Sequence, residues 1–280
     1  MIPFFLRFIS VYKKHFKPLK TLGRGSFGKV MLVQRRSTKQ LYVTKEIKTK
    51  RVPRYGESAD TGNLVPMEIA NLMTLDHGNI VELHGYLETK KTWVLIMEYT
   101  PNYCDIRNFV RRYGAMSETL AKHVYIQVYN AVNYCFNQGI HHRDIKDQNV
   151  LINKRTAHVK LIDFGSSTRG PLNEPYESAS GTLLYIPPEF FLDWSYLPLD
   201  AAVWSMGCLL FLMITATDPF LTTTQIITRD IGLGIPASVS KEGQFFIMHS
   251  LQKDISERLN FHDVPLHLWV LNFTGLDKRE

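Results

Sequence analysis

Hydrophobic and polar residues alternate along residues 18–47, which is typical of half-buried β-strands. Turn-forming residues interrupt this alternation twice. We therefore predict three antiparallel strands joined by hairpins, over residues 19–22, 30–34 and 41–47. Residues 48–63 contain proline and glycine and are predicted to form a loop. A helix over residues 65–75, followed by strands over residues 81–87 and 93–99, completes this first part of the chain.

Helical spacing dominates the second part of the chain. The first long helix is predicted over residues 117–138, with Ser117 as its N-cap and Gly139 at its end. Short strands are expected at residues 150–153 and 158–162, and the remainder is mainly helical. The pattern therefore predicts an α+β protein in which a small antiparallel-sheet lobe precedes a larger, mainly helical lobe.

Composition adds little to this picture but excludes some classes. The chain has 280 residues, of which 45% are hydrophobic and 21% charged, so a core can form without disulfide or metal staples. Its three cysteines are few and widely spaced, which favours reduced thiols and argues against a secreted framework or a zinc site. The net charge of +7 permits an anionic partner, but no run of five like charges occurs. A mildly basic enzyme is the simpler interpretation.

Two apolar stretches require a test for membrane segments. Arg7 divides the apolar residues 1–12, and no small-residue cleavage site follows, so we expect a terminal segment rather than a signal peptide. Residues 201–217 are uncharged and apolar on all sides, as in the buried central helix of a large lobe. We expect no membrane span.

The strongest chemical signal is the string from His142 to Asn149, followed by Asp163-Phe164-Gly165. Asp144 can accept a proton from a hydroxyl group, and Lys146 can neutralise a migrating phosphate. Asn149 and Asp163 can hold magnesium. The spacing of these groups makes a chance match a poor explanation. His142 and Phe164 are interpreted as packing residues, and His141 as a partly exposed neighbour without a catalytic task.

A glycine-rich string lies between the first two predicted strands. It contains Gly23, Gly25, Ser26 and Gly28, and glycines allow backbone N–H groups to approach phosphate oxygens closely. A dinucleotide-binding turn would need a helix after the glycines, whereas a strand pattern follows here. The string therefore favours a loop that covers a nucleotide between two strands.

Two charged residues have the spacing expected of a phosphate-binding pair. Lys45 lies in the third predicted strand, and Glu68 lies in the helix that follows. Taken singly, each is an ordinary solvated charge. Their order relative to the other motifs indicates that Lys45 grips the nucleotide phosphates and that Glu68 holds Lys45 in place.

Together these strings resemble the eukaryotic protein kinase family over about residues 18–270. Further matching strings are Gly181-Thr182, Pro187-Pro188-Glu189 and Trp204-Ser205-Met206-Gly207. Lys146 and Thr182 are similar to the serine/threonine branch, and several strings resemble PAS kinase and the related PIM kinases. The resemblance implies a two-lobed protein kinase fold. Its parts would be an N-terminal extension (residues 1–17), an N-lobe (18–99), a C-lobe (100–272) and a tail (273–280).

The resemblance also implies ATP and Mg²⁺ as cofactors. By it, Met97 is the gatekeeper and Glu98 to Thr100 form the hinge that binds adenine, while Asp105 reaches the ribose or a basic substrate side chain. The adenine ring would be sandwiched by Val30, Val43 and Leu151, and Leu22 would also contact ATP. Glu189 would pair with Arg258.

Two departures from the family pattern concern substrate choice and the catalytic loop. Gln148 stands where many basophilic kinases have an acidic residue, which weakens the expected selectivity for basic peptides. Ala202 stands where most kinases have an aspartate that anchors the catalytic loop. PIM kinases resemble this chain at that position, so we do not interpret Ala202 as a sign of inactivity.

We therefore expect a serine/threonine protein kinase that transfers the γ-phosphate of ATP to protein hydroxyl groups. A pseudokinase scaffold is the alternative, and a small-molecule phosphotransferase is disfavoured by the segment from Gly181 to Glu189. We expect protein substrates, no nucleic-acid partner, a monomer, and a cytoplasmic or nuclear location. Between residues 166 and 182, Glu174 and Glu177 are candidates to pair with Arg143 in place of a phosphate, or else are simply solvated.

Overall fold

The first unit of the chain is built on a five-stranded antiparallel sheet. A computed structural model describes Tyr12 and residues 14–24 and 28–273, and it divides the chain into compact units at Met1–Pro101 and Asn102–Glu280. Its strands are β1 (Phe16–Arg24), β2 (Lys29–Arg35), β3 (Leu41–Lys48), β6 (Leu83–Glu88) and β7 (Thr92–Glu98). Their order in the sheet is β1-β2-β3-β7-β6. The predicted strands are all present, each within a few residues of the expected bounds.

The prediction of a loop over residues 48–63 is partly wrong. Within it lies β4 (Tyr55–Glu57), which pairs with β5 (Leu64–Pro66). Strand β5 occupies the start of the region predicted as a helix over residues 65–75, and helix α1 itself spans Met67–Leu72. A Cβ on Gly56 would lie 3.0 Å from the Cβ of Ala70 in α1, so this small sheet packs closely on the helix. Contact with α1 therefore overrides the turn-forming tendency of the local sequence.

The second unit is mainly helical. Its helices are α2 (Ile106–Tyr113), α3 (Glu118–Asn137), α4 (Pro188–Asp193), α5 (Pro198–Thr215), α6 (Thr223–Thr228), α7 (Lys241–Ser250) and α8 (Leu268–Leu271). Its short strands are β8 (Tyr103–Asp105), β9 (Ile140–His141), β10 (Val150–Asn153), β11 (Val159–Leu161) and β12 (Thr168–Arg169). The α+β prediction is confirmed.

Helix α3 begins and ends as the sequence predicts. The Oγ of Ser117 accepts a hydrogen bond from the Leu120 N–H, which satisfies a donor of the first turn. At the other end Gly139 has φ of +66°, a conformation that glycine adopts without strain. Strand β8 and helix α2 were not predicted, although the apolar residues Ile106, Phe109, Val110 and Tyr113 recur in α2 at helical spacing.

Helix α5 forms the centre of the second unit. Among the described residues it is the one helix long and apolar enough to cross a membrane, and 78% of it is buried inside the protein. The indole of Trp204 stacks on the ring of Phe220 at 5.3 Å. Burial of this extent is typical of the core helix of a globular domain.

Candidate active site

The residues of the catalytic string lie on a loop between short strands of the second unit. β9 pairs with β12 on one side of the loop, and β10 pairs with β11 and β8 on the other. Between them Arg143 adopts a left-handed backbone conformation with φ of +63°. A non-glycine residue in this region indicates a backbone held in place by its surroundings.

Asp144 is the centre of a four-residue hydrogen-bond network. Its Oδ2 accepts from Lys146 Nζ at 2.7 Å and from Asn149 Nδ2 at 2.8 Å. Its Oδ1 accepts from the backbone N–H and the hydroxyl of Thr182, at 2.9 and 3.0 Å. Lys146 Nζ also donates to Thr182 Oγ1 at 2.6 Å. The network fixes both carboxylate oxygens and brings a cation next to a candidate proton acceptor.

Gly181 allows this close approach. It has φ of +85°, and a Cβ added there would lie 2.5 Å from the carbonyl oxygen of Arg143 and 2.8 Å from Oδ1 of Asp144. Only glycine provides both the conformation and the space. The segment that ends at Thr182 therefore lies directly against the catalytic loop.

His142 joins the catalytic loop to the segment that carries Asp163. Its Nδ1 accepts from the Asp144 N–H at 3.2 Å, which leaves Nε2 as the donor to the Ile162 carbonyl at 3.0 Å. Its ring packs edge-on against Phe164, with centroids 4.7 Å apart. Burial lowers the pKa of His142, so the imidazole is neutral near pH 7. The predicted packing role of His142 and Phe164 is confirmed.

The predicted partial exposure of His141 is wrong, while its lack of a catalytic task stays a prediction. This residue is 2% exposed rather than partly exposed, and its Nδ1 lies 2.5 Å from the hydroxyl of Tyr176. Burial and the nearby Arg143 charge lower the pKa of His141 to about 4. Local residues carry no signal for this burial, because Tyr176 is 35 residues away in the chain.

Asn149 and Asp163 fit the donor types that magnesium prefers. The Asn149 side chain donates through Nδ2 to Asp144, which leaves its amide oxygen as the group available to a cation. Asp163 follows β11 in a left-handed conformation, and the adjacent Ile162 N–H donates to the Asn149 carbonyl. No cluster of three or more histidine, cysteine or acidic side chains forms a metal site within the described residues. Mg²⁺ commonly takes one or two protein oxygens and completes its shell with phosphate and water.

In the first unit, Lys45 and Glu68 form a buried ion pair. Lys45 Nζ donates to the two carboxylate oxygens of Glu68 at 2.6 and 2.8 Å, and the two side chains are 9% and 4% exposed. Lys45 lies in β3 and Glu68 in α1, so sheet and helix position the pair together. The two residues do pair, while their role toward a nucleotide remains a prediction.

The glycine-rich turn joins β1 to β2. Gly25 and Ser26 lie outside the described residues, whereas Gly23 and Gly28 lie within them. A Cβ on Gly28 would lie 1.8 Å from the Glu46 carbonyl oxygen in β3. Close packing of backbone on backbone therefore requires glycine at position 28.

The residues expected near adenine lie on strands of both units. In the first unit, Val43 lies opposite Met97 and Val30 opposite Lys45 in the sheet register, and Leu22 is exposed on β1. The Glu98 carboxylate accepts from the Glu82 N–H at 2.8 Å, and Thr100 follows β7 as a half-buried residue.

In the second unit, Leu151 of β10 lies opposite Asp105 of β8. The Asp105 carboxylate caps α2 by accepting from the N–H and the side-chain amide of Asn108, at 2.8 and 2.6 Å. Asp105 therefore has a structural role as an N-cap in addition to the one expected of it.

A second charge network, which the sequence did not reveal, supports the catalytic loop. Arg107 forms an ion pair with Asp147 and a bidentate pair with Asp218 at 2.6 and 2.9 Å. Tyr185 donates to Asp147 at 3.0 Å. Hydrogen bonds to Asp218 and Asp147 raise the pKa of Arg107. These partners are 40 and 111 residues from Arg107, so local patterns carried no signal for them.

The surroundings of Arg143 differ from the expected pairing. Glu174 and Glu177 are both exposed, and the guanidinium of Arg143 contacts Tyr176, the Ser178 carbonyl and the Tyr196 hydroxyl instead. The candidate ion pair with the glutamates is therefore wrong, and the solvated alternative is correct.

Gln148 and Ala202 both lie near this loop. Gln148 is exposed. Ala202 is buried and lines a cavity of about 40 Å³ together with Arg143, Asp144 and Ala201. Helix α5 thus faces the catalytic loop with small apolar side chains at positions 201 and 202.

A second buried ion pair lies away from the catalytic loop. Arg258 donates to the two oxygens of Glu189, both at 2.8 Å, as the family resemblance implies. Its Nε donates to the Gln252 carbonyl at 2.8 Å. The guanidinium also lies 5.1 Å from the ring of Trp204. This pair ties α4 to the end of the second unit.

Comparisons with known proteins agree with the motifs. Residues 16–270 match the protein kinase domain. The chain is 32% identical to serine/threonine-protein kinase pim-2 of Danio rerio over 92% of this chain and 87% of that protein. It is 32% identical to serine/threonine-protein kinase prk-2 of Caenorhabditis elegans over 94% and 60%, and 31% identical to Aurora kinase of Saccharomyces cerevisiae over 95% and 71%.

Proposed function

The chain belongs to the protein kinase family and is an ATP-dependent serine/threonine protein kinase, and from this premise we propose how its own residues carry out the reaction. The observation that supports the assignment of roles is the network centred on Asp144. It joins a carboxylate, a lysine, an asparagine and a threonine within hydrogen-bond distance. In this family such groups position a hydroxyl nucleophile rather than form covalent intermediates.

Asp144 is proposed to orient the substrate hydroxyl and to accept its proton. The hydrogen bonds from Thr182 and Asn149 hold the carboxylate in one orientation, so little reorganisation is needed when the hydroxyl arrives. Lys146 lies 2.7 Å from Asp144 and is proposed to offset the negative charge that develops on the transferring phosphoryl group.

Asn149 and Asp163 are proposed to hold Mg²⁺, which when bound neutralises the phosphates of ATP. In the first unit, we propose that Lys45 binds those phosphates and that Glu68 keeps its ammonium in place. Contacts to ATP are further proposed for residues of the glycine-rich turn and the adenine set: Leu22, Gly23, Gly25, Ser26, Gly28, Val30, Val43, Met97, Glu98, Thr100, Asp105 and Leu151. We also propose a cytoplasmic or nuclear location, supported by three free cysteines.

A turnover assay tests the assignment. The purified chain is incubated with radiolabelled ATP, Mg²⁺ and a library of serine- and threonine-containing peptides. We expect phosphate transfer by the wild type and a loss of about 10²-fold or more in kcat for Asp144→Asn, since the proton acceptor is removed while the shape is kept. The matched control is Asp193→Asn, an exposed aspartate at the end of α4. Nucleotide binding without turnover by the wild type would instead identify a pseudokinase.

A further inference from the structure

The segment from Tyr176 to Thr182 contacts the catalytic loop at both of its ends. At one end Thr182 binds Asp144, as described above. At the other end the guanidinium of Arg143 lies 3.7 Å from the ring centroid of Tyr176. Since Arg143 and Asp144 are adjacent in the chain, both ends of the segment are attached to one short piece of backbone.

Hydrogen bonds complete the environment of Arg143. Its Nη2 donates to the Ser178 carbonyl at 2.8 Å and to the Tyr196 hydroxyl at 3.0 Å. Within the described part of the chain, no carboxylate lies within ion-pair distance of Arg143. The cation is therefore held by an aromatic face and neutral oxygens, which suits the planar and weakly hydrated guanidinium.

Tyr176 is itself held from two further directions. Its hydroxyl lies 2.5 Å from Nδ1 of the buried His141, which belongs to β9 immediately before the loop. Its backbone exchanges two hydrogen bonds with Tyr196, at 2.9 and 3.1 Å. The ring beneath Arg143 is thus fixed by a buried strand on one side and by the chain leading into α5 on the other.

We propose that Tyr176 is a positioning residue for phosphoryl transfer, which holds Arg143 and the segment up to Thr182 against Asp144 without a phosphate on that segment. This inference rests on the proposed function of the same site. Tyr176 acts through Arg143 and does not touch the reacting atoms.

The geometry explains how a change at Tyr176 reaches Asp144. Arg143 has a left-handed backbone, and Gly181 leaves no space between the segment and the Arg143 carbonyl. Release of the guanidinium would free both the arginine backbone and the segment that presents Thr182. The orientation of the Asp144 carboxylate depends on Thr182, so we expect the rate of transfer to fall more than substrate binding.

A pair of substitutions at position 176 separates the ring from the hydroxyl. Tyr176→Phe keeps the aromatic face and removes the bond to His141, whereas Tyr176→Leu keeps an apolar side chain and removes both. Tyr113→Leu is the matched control, because Arg112 lies 5.5 Å over the ring of this exposed tyrosine on α2. Each full-length protein is treated with phosphatase, checked for absence of phosphate by intact mass, and assayed for kcat, KM and thermal melting temperature.

We expect the phosphate-free wild type to be active. Tyr176→Leu should lower kcat by about tenfold to thirtyfold with KM for ATP and peptide within about twofold, because a partly buried cation–π contact that holds Arg143 is lost. Tyr176→Phe should lose less than about threefold, since the ring remains, and Tyr113→Leu should match the wild type.

Three outcomes would overturn the inference. These are wild-type kcat in Tyr176→Leu, a loss in folded Tyr176→Phe as large as in Tyr176→Leu, or a phosphate-free wild type that regains turnover only after phosphorylation between residues 166 and 182. If Tyr176→Leu does not fold, a loss of about tenfold or more in folded Tyr176→Phe, or a wild type that needs phosphate, still overturns the inference. Absence of turnover in the wild type in every phosphorylation state would overturn the proposed function itself.

Discussion

The Lys45–Glu68 pair of the first unit and the Glu189–Arg258 pair of the second unit have closely similar geometry. Each cation donates to both oxygens of one buried glutamate, at 2.6 to 2.8 Å. They differ in the cation itself, which is an ammonium in the first pair and a planar guanidinium in the second. All three nitrogens of the Arg258 guanidinium donate to protein acceptors, and its face lies over Trp204. Lys45 instead has a compact ammonium group and lies on β3, while its partner Glu68 lies on helix α1.

This difference teaches that burial of an ion pair does not by itself indicate its use. A planar guanidinium whose donors are all used inside the protein is suited to hold two parts of a fold together. An ammonium group is a point charge that can bind a further anion while keeping its carboxylate partner. The first pair should therefore affect activity more than stability, and the second the reverse.

The largest expected effect is a loss of turnover when Lys45 of the first pair, or Asp163 as the proposed magnesium ligand, is replaced. Lys45→Met or Asp163→Asn should each lower kcat by about 10²–10³-fold, because charge that stabilises the transferring phosphoryl group is lost. The protein should stay folded, although Lys45→Met should also lower the free energy of unfolding, because the buried Glu68 loses its cationic partner. Lys48→Met, at the exposed end of the same strand, is the control. Near wild-type turnover in either pure variant would contradict the assigned roles.

The next effect is on stability through the arginine pair. Arg258→Leu should lower the free energy of unfolding by about 3–5 kcal/mol, because Glu189 is left as a buried charge without a partner. Urea denaturation followed by tryptophan fluorescence measures this change. The double variant with Glu189→Leu should recover part of the loss, as both charges are then removed. A loss below about 1 kcal/mol would show that the pair is not structural.

The buried His141, which forms no ion pair with a described residue, extends this comparison, because its protonation makes the stability of the fold depend on pH. The pKa of His141 is lowered to about 4 in the folded protein, against about 6.5 when unfolded. The unfolded chain therefore binds a proton first, so folding stability is retained above pH 6.5 and falls as the pH decreases from 6.5 to 4. The loss should be about 1–3 kcal/mol.

Chemical denaturation at several pH values measures this slope. His141→Gln, which does not titrate, should show a smaller decrease over the same interval than the wild type. Equal slopes in the two proteins would mean that His141 does not contribute. The buried His142, whose pKa is also lowered, accounts for part of the slope that remains.

The smallest expected effect concerns a carboxylate introduced at an exposed position, where it has no buried partner. Gln148 is exposed, so Gln148→Glu should sharpen the preference for a basic residue upstream of the phosphoacceptor by about twofold to fivefold, as expected of a solvent-accessible charge pair. A peptide-library screen measures it. Gln40→Glu adds the same charge at an exposed turn of the first unit and serves as the control. An unchanged preference would mean that position 148 does not face the peptide.

The sequence predicted those features that follow from local spacing. The strands of the first sheet, helix α3 with its Ser117 cap, and the catalytic string all have a period or a motif that local residues define. The pairing of Lys45 with Glu68 followed from the order of motifs, and that of Glu189 with Arg258 from the family resemblance.

Contacts between distant segments could not be predicted from local patterns. Arg107 meets Asp147 and Asp218 only after the chain folds, and no period in the sequence relates these three residues. His141 was expected at the surface because a lone histidine carries no sign of the tyrosine that covers it. The β4 strand forms because Gly56 packs against α1. The turn-forming residues around Gly56 do not indicate this contact.

The missing side chain of Gly181 sets a limit on how this sequence can vary. A single methyl group there would overlap the Arg143 carbonyl and the Asp144 carboxylate, and the positive φ would strain any replacement. Two residues earlier, Ala179 is exposed and meets no such restriction. In a library that randomises residues 176–182 and is selected for activity, the surviving clones should be uniform at position 181 and diverse at position 179.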